Sequence, residues 1–121
     1  MRAVVITAPG GPEVLQLANR PIPEVGEGQV LIEVRAAGIN RPDIFQRKGN
    51  YPAPQGVPAD ILGLEVAGVV VKIGLGVLGI EVGDRVMALV AGAGYAEFVT
   101  ADVGSCIALD CVLWATLHDF H

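Results

Sequence analysis

The side chains in this sequence that could do chemistry gather between residues 40 and 65. Asn40 carries an amide that can donate and accept hydrogen bonds. It can hold a polar group of a bound molecule, or it can cap a helix that begins near Pro42. Tyr51 offers a ring for stacking on a flat partner and a hydroxyl to orient or protonate an oxygen. The plainer role is a loop tyrosine packed on Pro52 and Pro54. Phe45 offers a ring with no hydroxyl; its plainer role is core packing. Asp43 falls just inside the same helix, where a carboxylate suits the macrodipole. Glu65 lies in a strongly apolar run. If buried it needs a partner, and Arg41, Arg47 or Arg85 is available to supply one.

Two other patterns look chemical and fail on spacing. Gly74-Leu75-Gly76-Val77-Leu78-Gly79 reads G-x-G-x-x-G after a strand. A dinucleotide site also needs a helix to start there, with its N-terminus facing the pyrophosphate. Glu81-Val82-Gly83-Asp84 interrupts almost at once, so a strand-turn-strand corner is expected. Cys106, Cys111, His118 and His121 are spaced too closely between halves for a common zinc finger.

The elements that must position these residues are short. Gly and Pro, 16 and 8 of the 121 residues, punctuate brief β-branched runs. Strands are expected over residues 3–7, 14–18, 29–36, 62–74, 86–90 and 94–101, with a turn at 9–12 and a polar loop over 21–28. In the 29–36 segment Val30, Ile32, Val34 and Ala36 alternate with Gln29, Leu31, Glu33 and Arg35, the pattern of a half-buried strand. The 62–74 segment is apolar on both faces and reads as a central strand. Residues 42–48 read as a helix, with Pro42 at its start, Gly49 after its end and Asn40 or Arg41 as N-cap. Short strands with turns about every ten residues indicate a β-barrel or sandwich. Residues 101–121 differ in kind: they contain no Pro, one Gly and the apolar run Cys111-Val112-Leu113-Trp114-Ala115-Thr116-Leu117.

Composition bounds the function. The length sets an expectation of one domain. The hydrophobic fraction is 52% and the mean hydropathy +0.54, high for a small domain, so some apolar surface is expected to face a partner. A net charge of -5 and a pI near 4.8 argue against nucleic acid and anionic membrane surfaces. The start, Met1-Arg2-Ala3-Val4-Val5-Ile6, reads as a strand and not a signal peptide. No apolar stretch approaches the ~18 residues of a membrane helix. The expectation is a cytoplasmic protein. Two cysteines so close together are not a disulfide framework.

A series of motifs then carries a family resemblance. In order they are Gly10-Gly11-Pro12-Glu13-Val14-Leu15, Gly28-Gln29-Val30-Leu31-Ile32-Glu33-Val34, Ala37-Gly38-Ile39-Asn40-Arg41-Pro42-Asp43 and Gln46-Arg47-Lys48-Gly49-Asn50-Tyr51-Pro52. Leu62-Gly63-Leu64-Glu65-Val66-Ala67-Gly68-Val69-Val70, Val82-Gly83-Asp84-Arg85-Val86 and Gly94-Tyr95-Ala96-Glu97-Phe98-Val99 follow. Each piece alone is weak. Together, over residues 1–109, the series resembles the zeta-crystallin-like quinone oxidoreductases of the medium-chain dehydrogenase/reductase superfamily.

The resemblance implies a mainly β fold: a GroES-like, partly open β-barrel with one or two short helices. It implies that residues 1–109 are a catalytic, substrate-side domain, that 110–121 form a divergent tail, and that the Rossmann cofactor domain of such enzymes is absent. It implies hydride transfer from NADPH to a quinone or enone, with Asn40, Phe45 and Tyr51 as catalytic and cofactor-binding residues. Phe45 stands where relatives often carry Tyr, so proton donation there is in doubt. Zinc-dependent relatives place a cysteine at the position of Asn40 and a histidine at that of Leu64. Asn and Leu are not zinc ligands, so no zinc is expected. Full-length relatives are homo-oligomers. Without the Rossmann half, weak or no NADPH binding and an inactive isolated chain are expected. Two further readings compete: a non-catalytic GroES-like binding or interaction module, and a co-chaperonin subunit. In the second, the 40–51 segment would have no purpose.

Overall fold

The computed structural model describes residues 1–49, 58 and 60–109. Two sheets build it. Strands β1 (Arg2–Ile6) and β2 (Leu15–Asn19) form an antiparallel hairpin. Strands β3 (Gln29–Ala37), β4 (Glu65–Ile73), β5 (Arg85–Leu89), β6 (Phe98–Asp102) and β7 (Cys106–Ala108) form an antiparallel sheet of order β6-β3-β4-β5-β7. Its outermost strands, β6 and β7, are joined by the single short turn Val103–Ser105. A link that short between opposite edges requires the sheet to curl round, which is what makes it barrel-like. β1 ties on through bridges from Ala3 to Ala96 and from Val5 to Ile61. The mainly β, barrel-like architecture is therefore as expected.

The core lies inside the curl. Val30, Ile32, Val70 and Val86 are fully buried, with Ile61 nearly so. β4, read as central, is the middle strand of the five. β3 departs from simple alternation, because Leu31 is buried as well as Val30 and Ile32. Leu31 lies outside the core cluster that holds Val30 and Ile32: β3 pairs with β6 in unbroken register, and the extra residue at the shift between Leu31 and Ile32 is Val71 of β4.

The segments expected at 62–74 and 94–101 are regular strand only over β4 and β6. Before β4, Gly63 takes φ +111, which interrupts the pleat. Residues 61–63 instead accept backbone hydrogen bonds in sequence: Ala93 to Ile61 (3.1 Å), Tyr95 to Leu62 (2.8 Å) and Gly94 to Gly63 (3.1 Å). A Cβ at Gly63 would sit 2.7 Å from the Tyr95 nitrogen, so the approach needs glycine. β7 falls inside the stretch read as a tail. The G-x-G-x-x-G segment is a turn, with Gly76 and Gly79 at positive φ and no helix beginning there. No helix of the described residues is long and apolar enough to cross a membrane.

Candidate functional site

The one α-helix of the described residues, α1 (Arg41–Arg47), leaves β3 through Gly38 and Ile39. Its boundaries are dictated locally. Asn40 is the extended N-cap, Pro42 sits in the first turn and Arg47 in the last. Gly49 follows at φ +87 and closes the end. Asp43, at the third helical position, forms a capping box with Asn40, and its Oδ2 accepts the Asn40 backbone N–H at 2.9 Å.

Asp43 does more than cap. It is 3% exposed, and the same Oδ2 accepts the Tyr95 hydroxyl at 2.7 Å. The helix start is thereby pinned to the β5–β6 connection, 52 residues away in sequence. Partial burial first, then the hydrogen bond to Asp43 and the charges of Asp43 and Glu65, push the Tyr95 phenol well above its ordinary range. Tyr95 therefore stays a neutral donor through the whole physiological range. Asp43 Oδ1 is buried with no hydrogen-bond partner among the described residues.

The sequence-predicted residues divide. Asn40 is half-buried at the helix entrance, with its backbone held by Asp43. Phe45 is not core: it is 41% exposed, and core packing is overturned as its role. Ile44 beside it and Ile39 ahead of the helix are exposed too, so Asn40 lies among apolar surface. Ile44 and Phe45 thus mark a side of α1 that no element of the described residues buries. Tyr51 lies outside the described residues, as does the 110–121 tail. Glu65 is only half-buried and makes no ion pair among the described residues, which corrects the expected Arg41, Arg47 or Arg85 partner. Arg47 donates instead to the Gly10 carbonyl at 3.0 Å.

Tyr95 was invisible as a site residue in the sequence. Its only signal was an aromatic flanked by Gly94 and Ala96 in a strand-like run, and its bond to Asp43 depends on the fold.

Two concavities are present among the described residues, the second reaching Gly38 and Glu65 beside this corner. One, of about 1060 Å³, is bounded by residues 20–24 on one side and β6 on the other. The second, of about 520 Å³, is an apolar groove on the outside of β4, β5 and β7. As for what the corner can hold, the Asn40 amide can donate to and accept from a polar group of a bound molecule. No helix N-terminus among the described residues offers the pyrophosphate cradle of a dinucleotide site. No three His, Cys, Asp or Glu side chains gather as a metal site among them.

Comparison with known proteins places the architecture. Residues 26–110 match the alcohol dehydrogenase GroES-like domain. The chain is 41% identical over 103 residues to the synaptic vesicle membrane protein VAT-1 homolog-like of Mus musculus, covering 85% of this chain and 24% of that protein. It is 42% identical over 105 residues to a quinone oxidoreductase of Lama guanicoe, covering 84% of this chain and 31% of that enzyme. Among solved structures, quinone oxidoreductase of Escherichia coli complexed with NADPH superposes with a TM-score of 0.83 at 34% identity, over 93% of this chain and 34% of that one. The chain thus spans between a quarter and a third of the length of these relatives. With its fold and its motif series matched along most of its length, the chain belongs to the alcohol dehydrogenase GroES-like domain family of the medium-chain dehydrogenase/reductase superfamily.

Proposed function

We propose that residues 1–109 form the substrate-side domain of an NADPH-dependent quinone oxidoreductase that works without zinc. The observation that carries this is the fixed Asn40 corner: an amide at a buttressed helix entrance, bordered by exposed Ile39, Ile44 and Phe45. The likeness to a quinone oxidoreductase solved with NADPH supports the choice of cofactor and acceptor. Where zinc-dependent relatives place Cys and His, Asn40 and Leu64 stand, and neither side chain is a zinc ligand.

NADPH, when bound, supplies the hydride. This chain's own residues orient and exclude. Ile44 and Phe45 form a water-excluding wall against which a flat acceptor can lie. Asn40 holds the carboxamide of the cofactor or the oxygen of the acceptor through its amide. Its backbone is fixed by Asp43, and Asp43 by Tyr95, so the amide starts from one position. Phe45 has no proton to give; Tyr51 is the hydroxyl donor in this reading. The pyrophosphate and ribose need a Rossmann domain, so the 121-residue polypeptide alone binds NADPH weakly and turns over no quinone.

The test joins residues 1–109 to the cofactor domain of a quinone oxidoreductase and follows NADPH oxidation by benzoquinone. We expect turnover that a chelator leaves unchanged, and a drop in kcat/KM of about tenfold or more for Asn40→Ala, the scale of one positioning contact. Activity abolished by chelation, or indifference to Asn40→Ala, contradicts the proposal. A second reading, a non-catalytic interaction module, draws on the exposed apolar groove of β5 and β7. A pull-down with a protein partner and no NADPH dependence favours it.

A further inference from the structure

The outer face of the sheet carries two opposite charges that have no ion-pair partner among the described residues. On β4, Val66, Gly68 and Val70 are buried toward the curl, so Glu65, Ala67 and Val69 lie on the outer face. On β5, Val86 and Ala88 are buried, and Arg85, Met87 and Leu89 lie on the outer face. The two strands pair without a shift: Glu65 is opposite Leu89, Ala67 opposite Met87 and Val69 opposite Arg85. Glu65 and Arg85 therefore stand at opposite ends of this face, about 13 Å apart along the strands. All eight Lys and Arg residues are among the described residues, and none of them forms an ion pair with Glu65. Arg85 has no carboxylate partner among the described residues either. The neighbouring Glu33 adds no net charge, because Arg35 holds it at 3.0 Å.

Between the two charges the face is apolar. Ala67, Met87 and Ile107 run across three strands in register. Met87, Leu89 and Ile107 form a ridge there, 41%, 66% and 61% exposed. Covering such a ridge is favourable, and the charges indicate what covers it. A face with a carboxylate at one end, a guanidinium at the other and an apolar middle is complementary to itself. A two-fold axis between two such sheets, running across the strands at Ala67 and Met87, exchanges their ends. It brings Glu65 of each copy toward Arg85 of the other and sets the two apolar ridges together.

We propose that this face binds a second copy of the chain, with Met87 at the axis and Glu65 of each copy paired with Arg85 of the other. The face is small, so the dimer is weak and forms at high protein concentration. This inference stands apart from the quinone reading, since it concerns association through the sheet and not the chemistry at Asn40.

Sedimentation velocity of the full chain over a concentration series reads the association directly, with circular dichroism as the check on folding. We expect a monomer–dimer equilibrium that weakens as salt is raised. Arg85→Glu and Glu65→Arg should each weaken it about tenfold or more, because each sets like charges face to face. Mixed in equal amounts, these two variants should form a heterodimer, since opposite charges then meet at both ends. Met87→Lys should break the dimer, and Leu78→Lys, on the exposed turn after β4, should leave it intact. A chain that stays monomeric at its highest soluble concentration, a dimer that survives both charge reversals, or reversed variants that do not combine when mixed, each overturns the proposal.

Discussion

The curled sheet and the Asn40–Asp43–Tyr95 corner hold this domain together by opposite means. In the sheet, stability is spread over many apolar side chains: Val30, Ile32, Val70, Val86 and Val99 each contribute a share of one contiguous core. In the corner, one carboxylate oxygen receives two donors from distant parts of the chain, while its companion oxygen has none among the described residues. The core is redundant and tolerates exchange of one apolar group for another of similar volume. The corner is not redundant, since losing either donor leaves a buried charge less satisfied. Bulk stability resides in the first region, and positioning resides in the second.

The largest expected effect is in the sheet. Ile32→Ala empties a fully buried site and should cost about 2–5 kcal/mol in denaturant unfolding, with Ile32→Val costing about 1. Asp43→Ala should cost about 3 kcal/mol, because it removes the helix cap and strands the Tyr95 hydroxyl. Asp43→Asn should cost less, since its amide oxygen can still accept. If Asp43→Ala proves nearly neutral, the corner is not the locking point described above. Tyr95→Phe should cost about 1.5–3 kcal/mol, the range for a hydrogen bond to a charged acceptor. A double-mutant cycle sharpens the contrast: Asp43 and Tyr95 should couple, whereas Ile32 and Tyr95 should add.

The smallest effect is a pH dependence. The Tyr95 phenol is held above its ordinary pKa of about 10 in the fold. Above that pH the unfolded chain releases its proton while the folded chain keeps it, so the unfolded state binds fewer protons and stability falls as pH rises. The contribution is complete below about pH 10 and fades above it. Unfolding curves at rising alkaline pH should show this loss, and Tyr95→Phe should flatten it. Ultraviolet titration of a Tyr51→Phe chain should show the remaining phenol ionising late.

Much of the fold was legible because periodicity and punctuation are local. The alternation of residues 29–36, the apolar run into β4 and the Asn40-x-Pro42 helix start all act within a few residues, and each element formed within a few residues of its expected place. Leu31 was misplaced because it is buried on the face away from the core cluster, and what covers that face is decided by the fold and not by the alternation of β3. β7 was missed because three residues are too few to show a period, and its pairing is made across the curl with β5. Asn40 could be found from its type and its place before Pro42. Phe45 was half legible: the aromatic was evident, but its exposure depends on which side of α1 the barrel covers. Tyr95 could not be found, because its meaning lies in a carboxylate 52 residues away. Glu65 misled in the other direction, since an apolar neighbourhood in sequence became a half-exposed rim in space.

The most direct test of the central claim, that the Asn40 corner is the acceptor's wall, is amide chemical-shift mapping of the 121-residue chain during titration with a naphthoquinone. We expect weak, saturable shifts centred on Ile39, Asn40, Ile44 and Phe45. Shifts centred on the cleft between residues 20–24 and β6, or none at the highest soluble quinone concentration, would contradict it.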